Sequence, residues 1–83
     1  MLVSMSDRER DLFREWGARV RTAREEAGMH QVALAEAVGT YQQIISGIEN
    51  GRRPSDALRP RIAAALGVAP EALFAYSQTE TAA

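Results

Sequence analysis

Cysteine and lysine are missing from the sequence, and histidine and tryptophan occur once each. Without cysteine there is no disulfide framework and no thiolate metal site. A single histidine cannot assemble a zinc site alone. Unbroken apolar runs stop at four or five residues, far short of the roughly 20 that a membrane span needs. The N-terminus lacks the basic-then-apolar layout of a secretory signal, so the expected location is the cytoplasm. No nucleophile–base set can be assembled, because His30 stands at a helix start without an evident carboxylate companion. Neither an enzyme nor a cofactor or metal is therefore expected. Strand signals are almost absent: Val and Ile are scattered, and no segment alternates polar and apolar residues for long.

What is present fits one small helical domain. The chain has 83 residues, 46% of them hydrophobic and 25% charged, which reads as globular rather than disordered. The net charge of −1 argues against a polybasic coat but leaves nucleic acid open, since a binding face needs only local charge. All ten basic residues are Arg and fifteen residues are Ala. G+C-rich codon use explains both; the planar fork of Arg also suits phosphate and base recognition. Composition does not choose between these readings.

Ser6-Asp7-Arg8-Glu9 has capping-box spacing. Behind it Leu12, Phe13, Trp16, Val20, Ala23 and Ala27 form one apolar stripe of helical period. The pattern predicts a helix over about 7–27, stopped by Gly28. Trp16 lies on the inward stripe and reads as core. The Arg residues at 8, 10, 14, 19 and 21 interleave with Asp7, Glu9, Asp11 and Glu15, as on a solvated face with i,i+4 pairs. Leu12 and Phe13 carry two readings, packing on the last helix or contact between subunits, and Met29 reads as a core plug. Further helices are expected over 31–38, 42–50, about 60–66 and 70–76. Their inward residues would be Leu34, Ala35, Val38, Ile45, Ile48, Ile62, Ala65, Leu66 and Leu73. Ser55 could cap the fourth helix, but Pro60 would then sit in its second turn and remove a hydrogen bond, so Pro60 is placed as the first helical residue, where its missing N–H costs nothing. The fold class is all-α, a compact five-helix bundle. The domain is 1–76, and 77–83 is expected to be a flexible tail.

Residues 31–50 carry the functional signal. Two short helices meet at Gly39, Ala35 is small where they must approach, and Leu34, Val38, Ile45 and Ile48 close a crossed pair. This is the arithmetic of a helix-turn-helix, whose second helix puts its N-terminal polar residues into the DNA major groove. Here those residues are Tyr41, Gln42 and Gln43, and a Gln amide can pair with adenine N6 and N7.

The chain resembles the Xre/Cro–cI family of helix-turn-helix regulators, the lambda-repressor-like DNA-binding domains. The residues that carry the resemblance are the 16–28 segment from Trp16 through Arg24 to Gly28, then Gln31, Leu34-Ala35, Val38-Gly39, Gln42-Gln43, Ile45-Ser46 and Ile48-Glu49-Asn50-Gly51-Arg52. Ala65-Leu66-Gly67-Val68 and Leu73-Phe74 also match, so the likeness spans about 16–75. It implies base reading by Gln42 and Gln43, and phosphate contacts by Gln31, Asn50, Arg52 and Arg53. It also implies a buried ion pair between Arg24 and Glu49, and a dimer contact involving Leu58 and Leu73. A proline early in the fourth helix recurs in some phage repressors.

Three positions depart from the family pattern. His30 stands where a Ser, Thr or Asn N-cap is usual; it reads as a tolerated surface cap or as a pH switch. Ile44 replaces a usually polar residue, and would touch a thymine methyl or a partner. Gly47 removes a side chain from the recognition helix at a cost of about 1 kcal/mol in propensity. The resulting expectation is a sequence-specific repressor, nucleoid-associated, acting as a homodimer on a double-stranded DNA operator. The alternative is an antitoxin or other protein-interaction module, with a partner such as a toxin and DNA binding secondary.

Overall fold

A computed structural model describes residues 6–76; the tail expected at 77–83 lies outside the described residues. Five helices follow in order: α1 (Asp7–Glu26), α2 (Gln31–Val38), α3 (Gln42–Glu49), α4 (Leu58–Leu66) and α5 (Pro70–Phe74). No strand occurs among the described residues, so the all-α five-helix expectation holds.

The capping box at the start of α1 is formed. The Glu9 N–H donates to Ser6 Oγ at 3.1 Å and the Ser6 N–H to Glu9 Oε1 at 3.1 Å, which satisfies two otherwise orphaned donors. From there α1 buries Leu12, Phe13, Trp16, Gly17, Val20 and Arg24. That settles Leu12 and Phe13: at 8% and 7% exposure they belong to this subunit's core, and the reading as a contact between subunits is withdrawn. The core continues through Leu34, Ala35, Val38, Ile45, Ile48, Ile62, Ala63, Leu73 and Phe74, with Met29 packed against its edge. Ala63 is fully buried, whereas the expected Ala65 and Leu66 are only partly so.

Gly39 turns α2 into α3. It adopts φ 87°, a left-handed conformation that costs an L side chain about 1–2 kcal/mol. The following Thr40 N–H reaches back to the Ala35 carbonyl at 2.9 Å. The reversal brings α3 across α2 with Leu34, Ile45 and Ile48 fully enclosed.

α1 and α3 each end one residue earlier than expected, at Glu26 and Glu49, and two boundaries differ by two residues. α4 begins at Leu58, two residues before Pro60. Ser55 makes this possible: its Oγ accepts the Leu58 N–H at 3.2 Å and its carbonyl accepts the Arg59 N–H at 3.2 Å. The bond that Pro60 cannot give would have gone to Asp56, which is exposed and can turn to water. α5 stops at Phe74 rather than Tyr76 because Ala75 is extended, at φ −72° and ψ 141°. Its carbonyl accepts the Trp16 indole N–H at 2.9 Å, so the buried indole is satisfied at the expense of two helical residues.

Trp16 is the hub of the lower core. Phe13, Phe74 and Tyr76 surround it at centroid distances of 5.4, 5.5 and 5.4 Å, the last two edge-on, the geometry that aromatic quadrupoles favour. The Arg59 guanidinium lies 5.4 Å from its ring centre and is ion-paired to Asp56. No described helix is long and apolar enough to cross a membrane.

Candidate nucleic-acid interface

At about 100° per residue, positions 42, 43, 46, 47 and 50 fall on one side of α3 and 44, 45, 48 and 49 on the other. The structure follows this division. Gln42, Gln43 and Asn50 are exposed, Ser46 and Gly47 are half-buried, and Ile45 and Ile48 are enclosed. Ile44 is half-buried and packed against the core edge. It sits on the packed half of the helix, so helical phase places it beside, rather than within, the outward arc that carries Gln42 and Gln43. Tyr41 precedes the helix as its N-cap residue and is 76% exposed.

Glu49, the only acid of α3, is buried and paired. Its side chain is 3% exposed, and that of Arg24 is 11%. The guanidinium grips both carboxylate oxygens, Nε to Oε2 at 2.7 Å and the second terminal nitrogen to Oε1 at 3.1 Å. Its third N–H group donates to the Met29 carbonyl at 2.8 Å. Such a two-pronged, fully hydrogen-bonded pair is the arrangement that can offset the desolvation of both charges. The Glu49 hydrogen bond holds the Arg24 pKa above its ordinary value, against the opposing effect of burial. The pair joins α1 to α3 and cancels the charge of Glu49, leaving Glu36 as the one exposed carboxylate on α2 and α3.

From this pair a chain of hydrogen bonds runs outward. Gln31 Nε2 donates to Glu49 Oε1 at 3.0 Å, and Gln42 Nε2 donates to Gln31 Oε1 at 3.1 Å. Gln31 and Gln42, eleven residues apart, are thus locked together across the helix-turn-helix. Each amide nitrogen has two hydrogens, so each keeps one N–H free. Gln42 also keeps its Oε1, which gives it one donor and one acceptor side by side.

The remaining expected contacts lie around this centre. Asn50 turns its amide onto the Ser46 carbonyl at 2.8 Å. Arg52 and Arg53 follow α3 and are exposed; Arg53 lies 3.8 Å from Asp56. His30 is the N-cap residue of α2 but makes no side-chain cap bond. Leu58 is half-buried beside a groove of about 430 Å³ that Thr40, Ile44 and Arg53 also line. Leu73 is 2% exposed, so its expected role at a dimer surface is corrected: α5 turns it inward to fill the core beneath α1 and α4. Among the described residues no group of His, Asp and Glu side chains could hold a metal ion.

Two residues matter more than the sequence pattern suggested. A Cβ on Gly17 would lie 2.2 Å from the Ile48 carbonyl oxygen, so α1 and α3 touch backbone to backbone at the root of the interface. A glycine inside an otherwise good helix is the available signal for such an approach. Arg59, which covers Trp16, carried no signal at all, because a guanidinium looks the same in sequence whether it faces water or a ring.

The sequence model of the helix-turn-helix family matches residues 20–73. Among solved structures, the chain is similar to the restriction-modification controller protein C.AhdI from Aeromonas hydrophila. The TM-score is 0.72 at 32% identity, covering 75% of this chain and 96% of that one. It is also similar to the hypothetical transcription factor NHTF from Neisseria, with a TM-score of 0.73 at 27% identity, covering 96% of this chain and 92% of the other.

Proposed function

The chain belongs to the helix-turn-helix family of Xre/Cro–cI type and is a DNA-binding transcription regulator, and from that premise we propose that it is a repressor acting as a homodimer on a two-fold operator. In this reading α3 enters the major groove and α2 crosses the phosphate backbone. Gln42 and Gln43 read bases, with Tyr41 beside them. The free N–H and Oε1 of Gln42 match adenine N7 and N6. Gln31, at the start of α2, offers its remaining N–H to a phosphate together with the unpaired amides of the first helical turn. Arg53 and the spare N–H of Asn50 supply flanking phosphate contacts.

The observation that carries the proposal is the hydrogen-bonded chain from buried Arg24 and Glu49 through Gln31 to Gln42. It fixes a base-reading amide to the most enclosed polar group of the fold. A surface without recognition duty has no need of such an anchor. The dimer follows from reach: one recognition helix covers only a few base pairs, and two-fold repetition doubles the site. The edge at Leu58 is the surface proposed for the contact, and repression by occupancy requires nothing beyond it and the DNA.

Selection of binding sites from randomised duplexes tests this reading. The expected product is a two-fold consensus with half-sites about one helical turn, roughly 34–36 Å, apart, and sedimentation of two subunits per duplex. No enriched sequence, or one subunit per site, overturns it.

A further inference from the structure

The outward arc of α3 has a bare stretch. Position 47, one turn beyond Gln43, is glycine, so the helix itself sends nothing outward there. The space is nevertheless filled. A Cβ on Gly47 would lie 3.3 Å from Cδ of Arg52, 3.6 Å from one of its terminal guanidinium nitrogens and 3.7 Å from its Cβ. The Arg52 side chain therefore borders the space that a side chain at position 47 would enter, with both its stem and its head group alongside. The reversal after α3 sets this course. Gly51 takes φ 107°, and the Arg52 N–H donates to the Gly47 carbonyl at 2.9 Å. This closes the helix end onto the very residue the side chain covers. Among the described residues Arg52 forms no ion pair, whereas Arg53 and Arg59 share Asp56.

Resting on the operator-binding reading above, we infer that Arg52 is a base-reading residue rather than a phosphate clamp, its guanidinium standing in over Gly47 for the side chain that α3 lacks and recognising a guanine in the major groove. The chemistry fits. An unpaired guanidinium presents two parallel N–H donors, the pattern that guanine O6 and N7 accept. The placement fits as well. Positions 43 and 47 are one turn apart, about 5–6 Å between side-chain roots, which is one to two base steps at about 3.4 Å each. Arg52 thus extends the row begun by Gln42 and Gln43. Gly47 has a defined role in this arrangement: a Cβ there would make Arg52 Cδ give by a few tenths of an ångström and a larger side chain would take the space of the stem, so a residue that weakens the helix is the one that lets the arginine lie across it.

The test compares the wild-type protein with Arg52→Ala, Gly47→Leu and Arg53→Ala by binding-site selection, followed by affinities on the preferred duplex and on single-base variants across a salt series. Arg52→Ala should lose about ten-fold or more of the preference for guanine at one base pair per half-site. Gly47→Leu keeps every charge and favours helix formation, yet should lose the same preference at the same base pair. Arg53→Ala should weaken all sequences alike and lower the salt slope by about one. If Arg52→Ala behaves as Arg53→Ala does, or Gly47→Leu leaves the guanine preference intact, the inference is overturned while the operator-binding reading stands. If the wild-type protein enriches no sequence, the operator-binding reading falls and this inference falls with it. Circular dichroism of each variant separates loss of fold from loss of reading.

Discussion

Replacing Gly17 by Ala sets two effects of opposite sign against each other. In an unobstructed helix interior the change stabilises by about 0.8–1.0 kcal/mol. Here the new Cβ would stand 2.2 Å from the Ile48 carbonyl oxygen and 2.9 Å from both the carbonyl carbon and oxygen of Glu49. Even attractive carbon–oxygen contacts keep about 3.3 Å, so α1 and α3 must separate by about 1 Å. A gap of that size forfeits a quarter to a half of the dispersion energy of the atoms lining it. Both partners are helical backbone, so no rotamer change relieves the clash. That places the cost at the upper end of the 1–3 kcal/mol typical of overpacking. The net effect is a loss of about 2 kcal/mol or more. The whole stability expected for 83 residues is only about 4–12 kcal/mol. Thermal unfolding followed by helical circular dichroism should show Tm lowered by about 8–16 °C. Ala18→Gly, at the exposed neighbour, should lose only about 1 kcal/mol from propensity. Gly17→Ala should also weaken operator binding, because the shift occurs at the carbonyls beside the Arg24–Glu49 pair. A variant as stable as the wild type, or more so, would refute the close approach and leave propensity as the governing term.

The same interface yields a second expectation: Glu49→Ala, which strands a buried guanidinium, should cost about 3–5 kcal/mol in urea unfolding. The pKa of Arg24 is raised in the fold, so the stability it contributes is present below its unfolded value and is lost only as pH rises through a still higher one. The penalty of Glu49→Ala should accordingly stay constant between about pH 5 and 9, and a penalty that disappeared toward pH 9 would contradict the raised value. At the surface, Gln42→Ala should lose about 1–3 kcal/mol on the preferred duplex and flatten one or two base positions, as read by competition binding. Gln31→Ala should blur those same positions by releasing Gln42, and also lower affinity for every sequence; unchanged preference in Gln31→Ala would show that Gln42 needs no support.

Whatever local chemistry governs was legible in the order of the residues. Ser6 and Glu9 three residues apart wrote the start of α1, and Gly39 wrote the turn of the helix-turn-helix. The 3.6-residue recurrence of Leu12, Trp16 and Val20, then of Leu34 and Val38, wrote the buried faces. Each of these depends on residues within a turn or two, where spacing and geometry are nearly the same thing. Tertiary structure decided whatever depends on how two elements meet. Whether Leu73 faced the core or a partner hung on the rotation of a five-residue helix, too short for its own periodicity to fix. Ile44 joined the packed half of α3 because of how that helix is rotated when it packs against α1 and α2. The end of α5 depended on the demand of a buried Trp16 indole for an acceptor 59 residues away, whereas the start of α4 turned on Ser55 bonding the amides three and four residues on, a local device within reach of the sequence. The placement of Arg52 belongs to the same class: its residue type is plain in the sequence, but the left-handed turn at Gly51 and the empty position at Gly47 aim it. A side chain long enough to reach several places is directed by the surface it lies on, and that surface exists only once the helices have packed.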